Sequence, residues 1–309
     1  MASHSGQVRK WVATPPTVPP GRGRGPAMVG PVGKVPRVTD DSRPVRIDKP
    51  RPHTTVITMN RPERMNSMAF DLMVPLHEAF ALVADDNDTT CVVLTGEGRG
   101  FCSGADTTAT SEPPPNIDGL SLSRIATRAM SILADLVPAM QRMPQPVICA
   151  VNGPAIGGGL CLTLGADIRI AAESAYFRAA GINNGLTATE LGLSFLLPRA
   201  IGSSRAFEIM LSGRDVSAAE AAGMGLVSRV VPDADLLGTA LDLADRINGW
   251  STQGVALTKR MMWAGLETSS LRAAIEMESH TQLFVRLTTQ NFEEATRARR
   301  EDRQPDFRD

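Results

Sequence analysis

Two glycine-rich stretches, GEGRGFCSGAD (96–106) and GPAIGGGLCLTLGAD (153–167), carry the pattern with the most chemical content. Each follows an apolar run that reads as a strand, and each leads into an expected helix start. Each therefore presents backbone N–H groups that have no helical partner. Two such donors converging on one point form an oxyanion hole, which holds the charge that develops on a carbonyl oxygen during reaction. Tight turns whose glycines only relieve crowding are the plainer reading of the same residues.

Other chemistries fail on spacing. A dinucleotide fingerprint needs a glycine three residues after Gly98, where Phe101 stands. A nucleophile elbow needs spaced glycines around Ser103, but Cys102 and Gly104 flank it directly. No Walker lysine follows either glycine cluster. The four histidines form no HxxxH or HxH pair, so a metal held by protein ligands is not expected. Cys91, Cys102, Cys149 and Cys161 show no CxxC spacing and read as reduced, mostly buried thiols.

One acid stands apart. Glu190 lies in GLTATELGLSFLLPR, with no basic residue between Arg178 and Arg199. If it enters an apolar pocket, desolvation raises its pKa toward a range useful for proton transfer. A surface carboxylate at a helix start after Thr187 and Thr189 is the alternative. Glu112 and Asp118 are further acids that the sequence does not place.

These groups need elements to hold them. TTVITMN (54–60) alternates as a strand, and RPERMNSM turns into a helix that runs to about Ala84. CVVLTGEG (91–98), PVICAVNG (146–153), IRIAAES (168–174) and GLVSRVV (225–231) read as strands, with a helix from about Ser121 to Arg142. Strand, loop and helix recur without long antiparallel hairpins, which gives an α/β class. After Asp233 the pattern is helical, over 235–249, 251–266, 269–286 and 290–302.

A chain of 309 residues can bury a substantial core, which must be mostly aliphatic because aromatics are 4% of it. A net charge of −1 argues against nucleic acid or an anionic membrane as the main partner. No apolar run approaches the roughly 20 residues of a membrane span. Residues 1–39 hold no acid but six basic residues, and ten of the 22 prolines precede residue 53. Such a segment cannot bury enough apolar surface to order itself, so residues 1–43 are expected to be a disordered, dispensable extension.

The motifs NRPERMN (60–66), GRGFCSGAD (98–106), AVNGPAIGGG (150–159), GAD (165–167) and ARREDRQPDF (298–307) occur in this order. Together they resemble the enoyl-CoA hydratase/isomerase family, the crotonase superfamily, from about residue 45 to 309. The resemblance implies an α/β crotonase spiral of β-β-α units over 44–250, and a helical region over 251–309 that assembles trimers, often paired into hexamers. It implies an acyl-CoA thioester as substrate, with coenzyme A as part of that substrate and no further cofactor, and a cytoplasmic enzyme. By the same likeness the N–H groups of Ala105 and Gly158 form the oxyanion hole. Arg64, Met65, Ser103 and Asp106 line the CoA side, although Asp106 could equally cap a following helix.

The sequence departs from the family where hydratases carry two glutamates that share one water. Those positions are Cys161 and Gly181. A thiol is a weak hydrogen-bond partner and neutral near pH 7, so two-glutamate hydration is not expected. Glu190, eight residues before Pro198, matches the position of an acid in dienoyl-CoA isomerases and in an aroyl-CoA dehalogenase. One acid suits double-bond isomerisation, since a single group can remove a proton and return it. Atypical hydration, thioester hydrolysis and acyl-CoA binding without catalysis are the alternatives.

Overall fold

The strand Thr54–Met59 (β2) is buried along its whole length. It lies between β1 (Val45–Arg51) and β3 (Cys91–Gly96) in a six-stranded sheet of order β1-β2-β3-β4-β6-β9. The remaining strands of that sheet are β4 (Val147–Val151), β6 (Ile168–Ala172) and β9 (Arg229–Val231). The chain is described by a computed structural model over residues 42–108 and 113–307. The expected disordered segment therefore falls almost wholly outside the described residues, and so does Glu112.

All pairings in the large sheet are parallel except that of β1 with β2. Parallel strands need cover on both faces. Ile57, Leu94 and Cys149 pack under α1 (Phe70–Ala84), α2 (Leu122–Arg142) and α3 (Gly158–Gly165). Val56, Val93 and Ile148 pack on the other face under α7 (Leu236–Asn248). This two-sided burial is why β2 lacks the exposed alternate positions that its pattern suggested.

The β1–β2 pair is an antiparallel hairpin, turned through His53 at φ 60°. The sequence pattern, which shows no long antiparallel hairpins, does not reveal this short one. VRIDKPR escapes a strand pattern because charge and Pro50 crowd it, and both are tolerated on an edge strand. A second, smaller sheet joins β5 (Ala155–Ile156), β7 (Tyr176–Arg178) and β8 (Val216–Ser217). Between the sheets' last strands run α4 (Leu193–Ile201), α5 (Ser203–Ser212) and α6 (Ala218–Gly223).

The C-terminal helices are α8 (Thr252–Glu267), α9 (Leu271–Thr288) and α10 (Asn291–Arg300). A buried lysine ties α8 to the sheet. Lys259 Nζ donates to the carbonyls of Met140 at 3.1 Å and Gln145 at 2.9 Å, and pairs with Asp167 at 3.0 Å. Asp167 also accepts from Trp263 Nε1 at 2.6 Å and from the Val147 N–H at 2.7 Å. Farther along, Glu294 accepts from Arg303 and from the Asp306 N–H, which closes the last turn of the chain.

Candidate active site

The two glycine-rich turns follow β3 and β4, neighbouring parallel strands, so both emerge at the same sheet edge. They then pack backbone on backbone. A Cβ on Gly153 would stand 2.2 Å from the Arg99 carbonyl, one on Gly104 2.6 Å from the Ile156 carbonyl, and one on Gly159 2.2 Å from the Cys102 carbonyl. Cys102 N–H donates to Pro154 at 3.0 Å, and Ile156 N–H to Cys102 at 2.9 Å. Much of the glycine content is thus explained by one turn approaching the other. Only glycine lets main chains come this close.

Within this double turn the donors at Ala105 and Gly158 stay out of the network. Met68 N–H donates to Gly104 O at 2.7 Å and Asp106 N–H to Met68 O at 3.1 Å, bracketing Ala105. Among the described residues the N–H of Ala105 meets no acceptor, and the residue is exposed. Gly158 opens α3, so its N–H has no helical partner, and it too meets no acceptor. Gly157 before it has φ 54° and is fixed by donating to Arg178 O at 2.8 Å. Among the described residues no helix starts between Ala105 and Leu122, contrary to expectation. The Ala105 donor is therefore presented by a loop, and only Gly158 gains from a helix terminus.

Glu190 comes to the same place from the loop before α4. Its Oε1 lies 3.1 Å from where a Cβ on Gly157 would stand. The carboxylate is half-buried and accepts no hydrogen bond among the described residues. Burial alone pushes its pKa above the ordinary 4.5, because nothing nearby compensates the charge. Leu191 next to it is held at φ 44°, a conformation that costs a bulky residue about 1–3 kcal/mol. Asp118 is exposed in the turn that Leu120 N–H closes on Ile117.

The third group gathers around Asp106. Its carboxylate accepts from Ser67 Oγ at 2.9 Å and from Thr108 N–H at 2.9 Å and Oγ1 at 2.7 Å. It also pairs with Arg64, with Arg61 Nη2 at 3.7 Å. Burial alone would raise the Asp106 pKa, but hydrogen bonds from Thr108 and Ser67 and the Arg64 charge hold it at about 2. Among the described residues no helix follows directly, so Asp106 caps none there. It ties the 61–68 segment to the loop after Ala105. Met65, at φ 52°, accepts the Ser103 N–H at 3.0 Å, and its side chain packs on Gly100. Asn66 and Ser67, which sequence spacing does not single out, join this group. The Asn66 amide bonds the carbonyls of Glu97 at 3.0 Å and Gly100 at 2.9 Å.

Comparison with known proteins places the chain in a family. The family described as Enoyl-CoA hydratase/isomerase matches residues 53–309. The chain belongs to the enoyl-CoA hydratase/isomerase family. It is 61% identical over 265 residues to a probable enoyl-CoA hydratase, EchA12, of Mycobacterium bovis, covering 86% of this chain and 93% of that one. A solved structure of a probable enoyl-CoA hydratase/isomerase from Mycobacterium abscessus superposes with a TM-score of 0.82 at 55% identity, covering 86% of this chain and 98% of that one. That of a monofunctional enoyl-CoA isomerase from M. smegmatis gives a TM-score of 0.65 at 54% identity, covering 76% and 99%. The fold is the crotonase fold, and the protein is an acyl-CoA-processing enzyme of this family.

Within the enoyl-CoA hydratase/isomerase family, the two positions where the sequence departs have physical fillings. Cys161 is buried in α3, and its thiol donates to the main-chain carbonyl of Glu190 at 3.4 Å. Burial pushes that thiol well above the usual 9.0, so it stays protonated. At the other position a Cβ on Gly181 would stand 2.0 Å from the Thr187 carbonyl and 3.1 Å from Ala188 Cα. Main chain occupies the space that a side chain would need. All four cysteines are free and buried, and burial raises Cys91 and Cys102 to about 12. Among the described residues no group of three or more His, Cys, Asp or Glu could hold a metal ion, and no helix is long and apolar enough to cross a membrane.

Proposed function

We propose that the enzyme moves a double bond along an enoyl-CoA, with Glu190 as the single acid/base and the N–H groups of Ala105 and Gly158 as the oxyanion hole. Glu190 as carboxylate takes a proton from C2 of a 3-enoyl-CoA. The electrons pass into the thioester, and the negative charge on its oxygen is met by the two N–H donors. The carboxylic acid then returns the proton to C4, which leaves a 2-enoyl-CoA and a regenerated carboxylate. The balance is closed: one proton moves twice, no water is consumed, and no cofactor beyond the substrate's own coenzyme A is called for.

The observation that carries this reading is the position of Glu190. Its carboxylate stands against Gly157 with no hydrogen-bond partner among the described residues, while a protonated thiol and a crowded glycine occupy the two hydratase glutamate positions. The likeness to a structure described as a monofunctional enoyl-CoA isomerase supports it. Arg64, Met65, Ser103 and Asp106 would border the coenzyme A portion of the substrate.

The test is to incubate the purified protein with trans-2- and cis-3-enoyl-CoA of several chain lengths, followed by mass spectrometry and the absorbance of the conjugated thioester. Conjugation without a mass change supports isomerisation. Hydration is the second reading, favoured by the hydratase name of the 61% identical relative, and a gain of one water would establish it. Tight binding without change to any ester would leave an acyl-CoA binder.

A further inference from the structure

We infer that Met68 is a positioning residue that sets the distance between the two halves of the oxyanion hole. The inference rests on the reading that Ala105 and Gly158 hold the thioester oxygen.

Met68 touches both halves by different means. Its main chain forms an isolated parallel bridge with Ala105, donating to Gly104 O at 2.7 Å and accepting from Asp106 N–H at 3.1 Å. Those two bonds satisfy the peptide groups on either side of Ala105 and leave the Ala105 N–H pointing out of the bridge. Its side chain reaches the other half. The sulfur lies 2.2 Å from where a Cβ on Gly158 would stand, so it rests directly on the Gly158 α-carbon. Leu191 Cδ1 lies 3.5 Å from the same point and closes the contact on the Glu190 side. Met68 is 7% exposed, so the side chain cannot swing into solvent to relax.

The physical consequence follows from packing density. Close-packed interiors transmit small displacements instead of absorbing them. One residue is bonded through its backbone to the loop carrying the first donor, and seated through its side chain on the residue carrying the second. Its length therefore sets their separation. An oxyanion hole loses most of its value when a donor moves by about 1 Å. The unbranched Met reaches Gly158 without a β-branch that would crowd the bridge. Gly158 lacks a Cβ because this sulfur occupies its place.

The experiment uses butanoyl-CoA carrying 13C at the thioester carbonyl, bound to the full chain, with the carbonyl stretch read by isotope-edited infrared difference spectroscopy. Hydrogen bonds from both donors lower that stretch. Met68→Ala is expected to return it toward the free value and to reduce isomerase kcat by roughly 10- to 100-fold. KM should move less than about threefold, because Met68 is 7% exposed and offers little surface for the CoA portion to bind. Met68→Leu, close in volume, should restore the lowered stretch. Gly158→Ala should lose it, and Gly158→Ala with Met68→Ala should recover part of it, a non-additivity that a purely structural role would not produce. Should Met68→Ala fail to fold, Met68→Val carries the same comparison. A lowered stretch that Met68→Ala leaves untouched overturns the role of Met68 alone. A wild-type protein that binds the ester with an unshifted stretch overturns the oxyanion-hole reading, and this inference with it.

Discussion

The Glu190 carboxylate stands against Gly157, its Oε1 3.1 Å from the point a Cβ there would occupy. A larger residue at 157 would push the acid away from the donor that follows it. Gly157 also holds φ 54°, so it is glycine for two independent reasons. The acid, the helix start and the first donor's loop thus meet at one backbone corner.

The first prediction concerns the ionisation of Glu190. Desolvation raises its pKa above 4.5, and the proposed base must be deprotonated. Activity should therefore rise with pH through an acid limb displaced above that of an ordinary glutamate. Glu190→Gln should lower kcat by about 10²-fold or more and abolish the limb, while ester binding persists. Stability should move the other way. A folded pKa above the unfolded one favours the fold fully below pH 4.5, and that advantage is lost as pH rises through the folded value. At pH 7 Glu190→Gln should melt no lower than the parent, and the two should converge near pH 4. A kcat within threefold of the parent would remove Glu190 from the mechanism.

The second prediction concerns the empty glutamate positions. Gly181→Glu places a Cβ 2.0 Å from a main-chain carbonyl, which no rotamer relieves. The 181–188 turn must shift, and thermal unfolding should show a clear loss of stability. Cys161→Glu sets a second carboxylate among buried residues, close to Glu190. It should raise the Glu190 pKa further and slow the enzyme, with no hydratase activity gained. A variant carrying both changes that hydrates trans-2-enoyl-CoA at a rate near the isomerase rate would refute this.

How much was legible before the structure follows the same physics. The helix 122–142 and the strand 147–151 lie within two residues of expectation, because long periodic runs and apolar strands bounded by turn residues are strong signals. The sequence pattern gives no clear element over residues 193–223, where α4 to α6 lie, since Pro198 and Gly202 break the period there. The helix expected after Ala105 failed for a local reason. Asp106 turns back to accept from Thr108 N–H, a side-chain bond that competes with helix formation. Residues 105, 158 and 190 are singled out as candidates through the family likeness. The contact of Met68 with Gly158 is not, because no spacing relates residues that far apart. Only packing does.

Asp106 gives the third prediction. Its pKa of about 2 lies below the ordinary 3.8, so its pairing stabilises the fold above pH 3.8, and that contribution is lost as pH falls toward 2. Asp106→Asn should flatten acid unfolding over that interval. It also releases Arg64 and Thr108 beside the Ala105 loop, so KM for acyl-CoA should rise several-fold with a smaller change in kcat. A KM equal to the parent's, measured at pH 7, would detach this cluster from coenzyme A binding.

Lys259 gives the fourth. Its ammonium is buried, and desolvation lowers its pKa against the opposing pull of Asp167. Lys259→Met leaves Asp167 without its cation, and the Met140 and Gln145 carbonyls without their donor. Breaking a buried pair from one side costs on the order of 3–5 kcal/mol. Denaturant titration should show that loss, and Asp167→Asn in the same chain should recover part of it. A loss below about 1 kcal/mol would mean that α8 is held by its apolar contacts alone.

The last prediction is assembly. No residue of α9 is buried in the single chain, yet Leu271, Ile275, Leu283, Phe284 and Leu287 are each more than half exposed along it. Met262 and Leu266 extend the apolar surface onto α8. A soluble monomer rarely leaves such a continuous patch open. The face is proposed to be covered by further copies of the chain, as trimers or hexamers. Sedimentation at micromolar concentration should therefore give a mass three or six times that of the chain. Leu283→Glu with Leu287→Glu places two charges on the stripe without touching the sheet core, and should dissociate the assembly while α-helical circular dichroism is kept. A parent protein that sediments as a monomer would defeat the proposal, and the exposed stripe of α9 would then need another occupant.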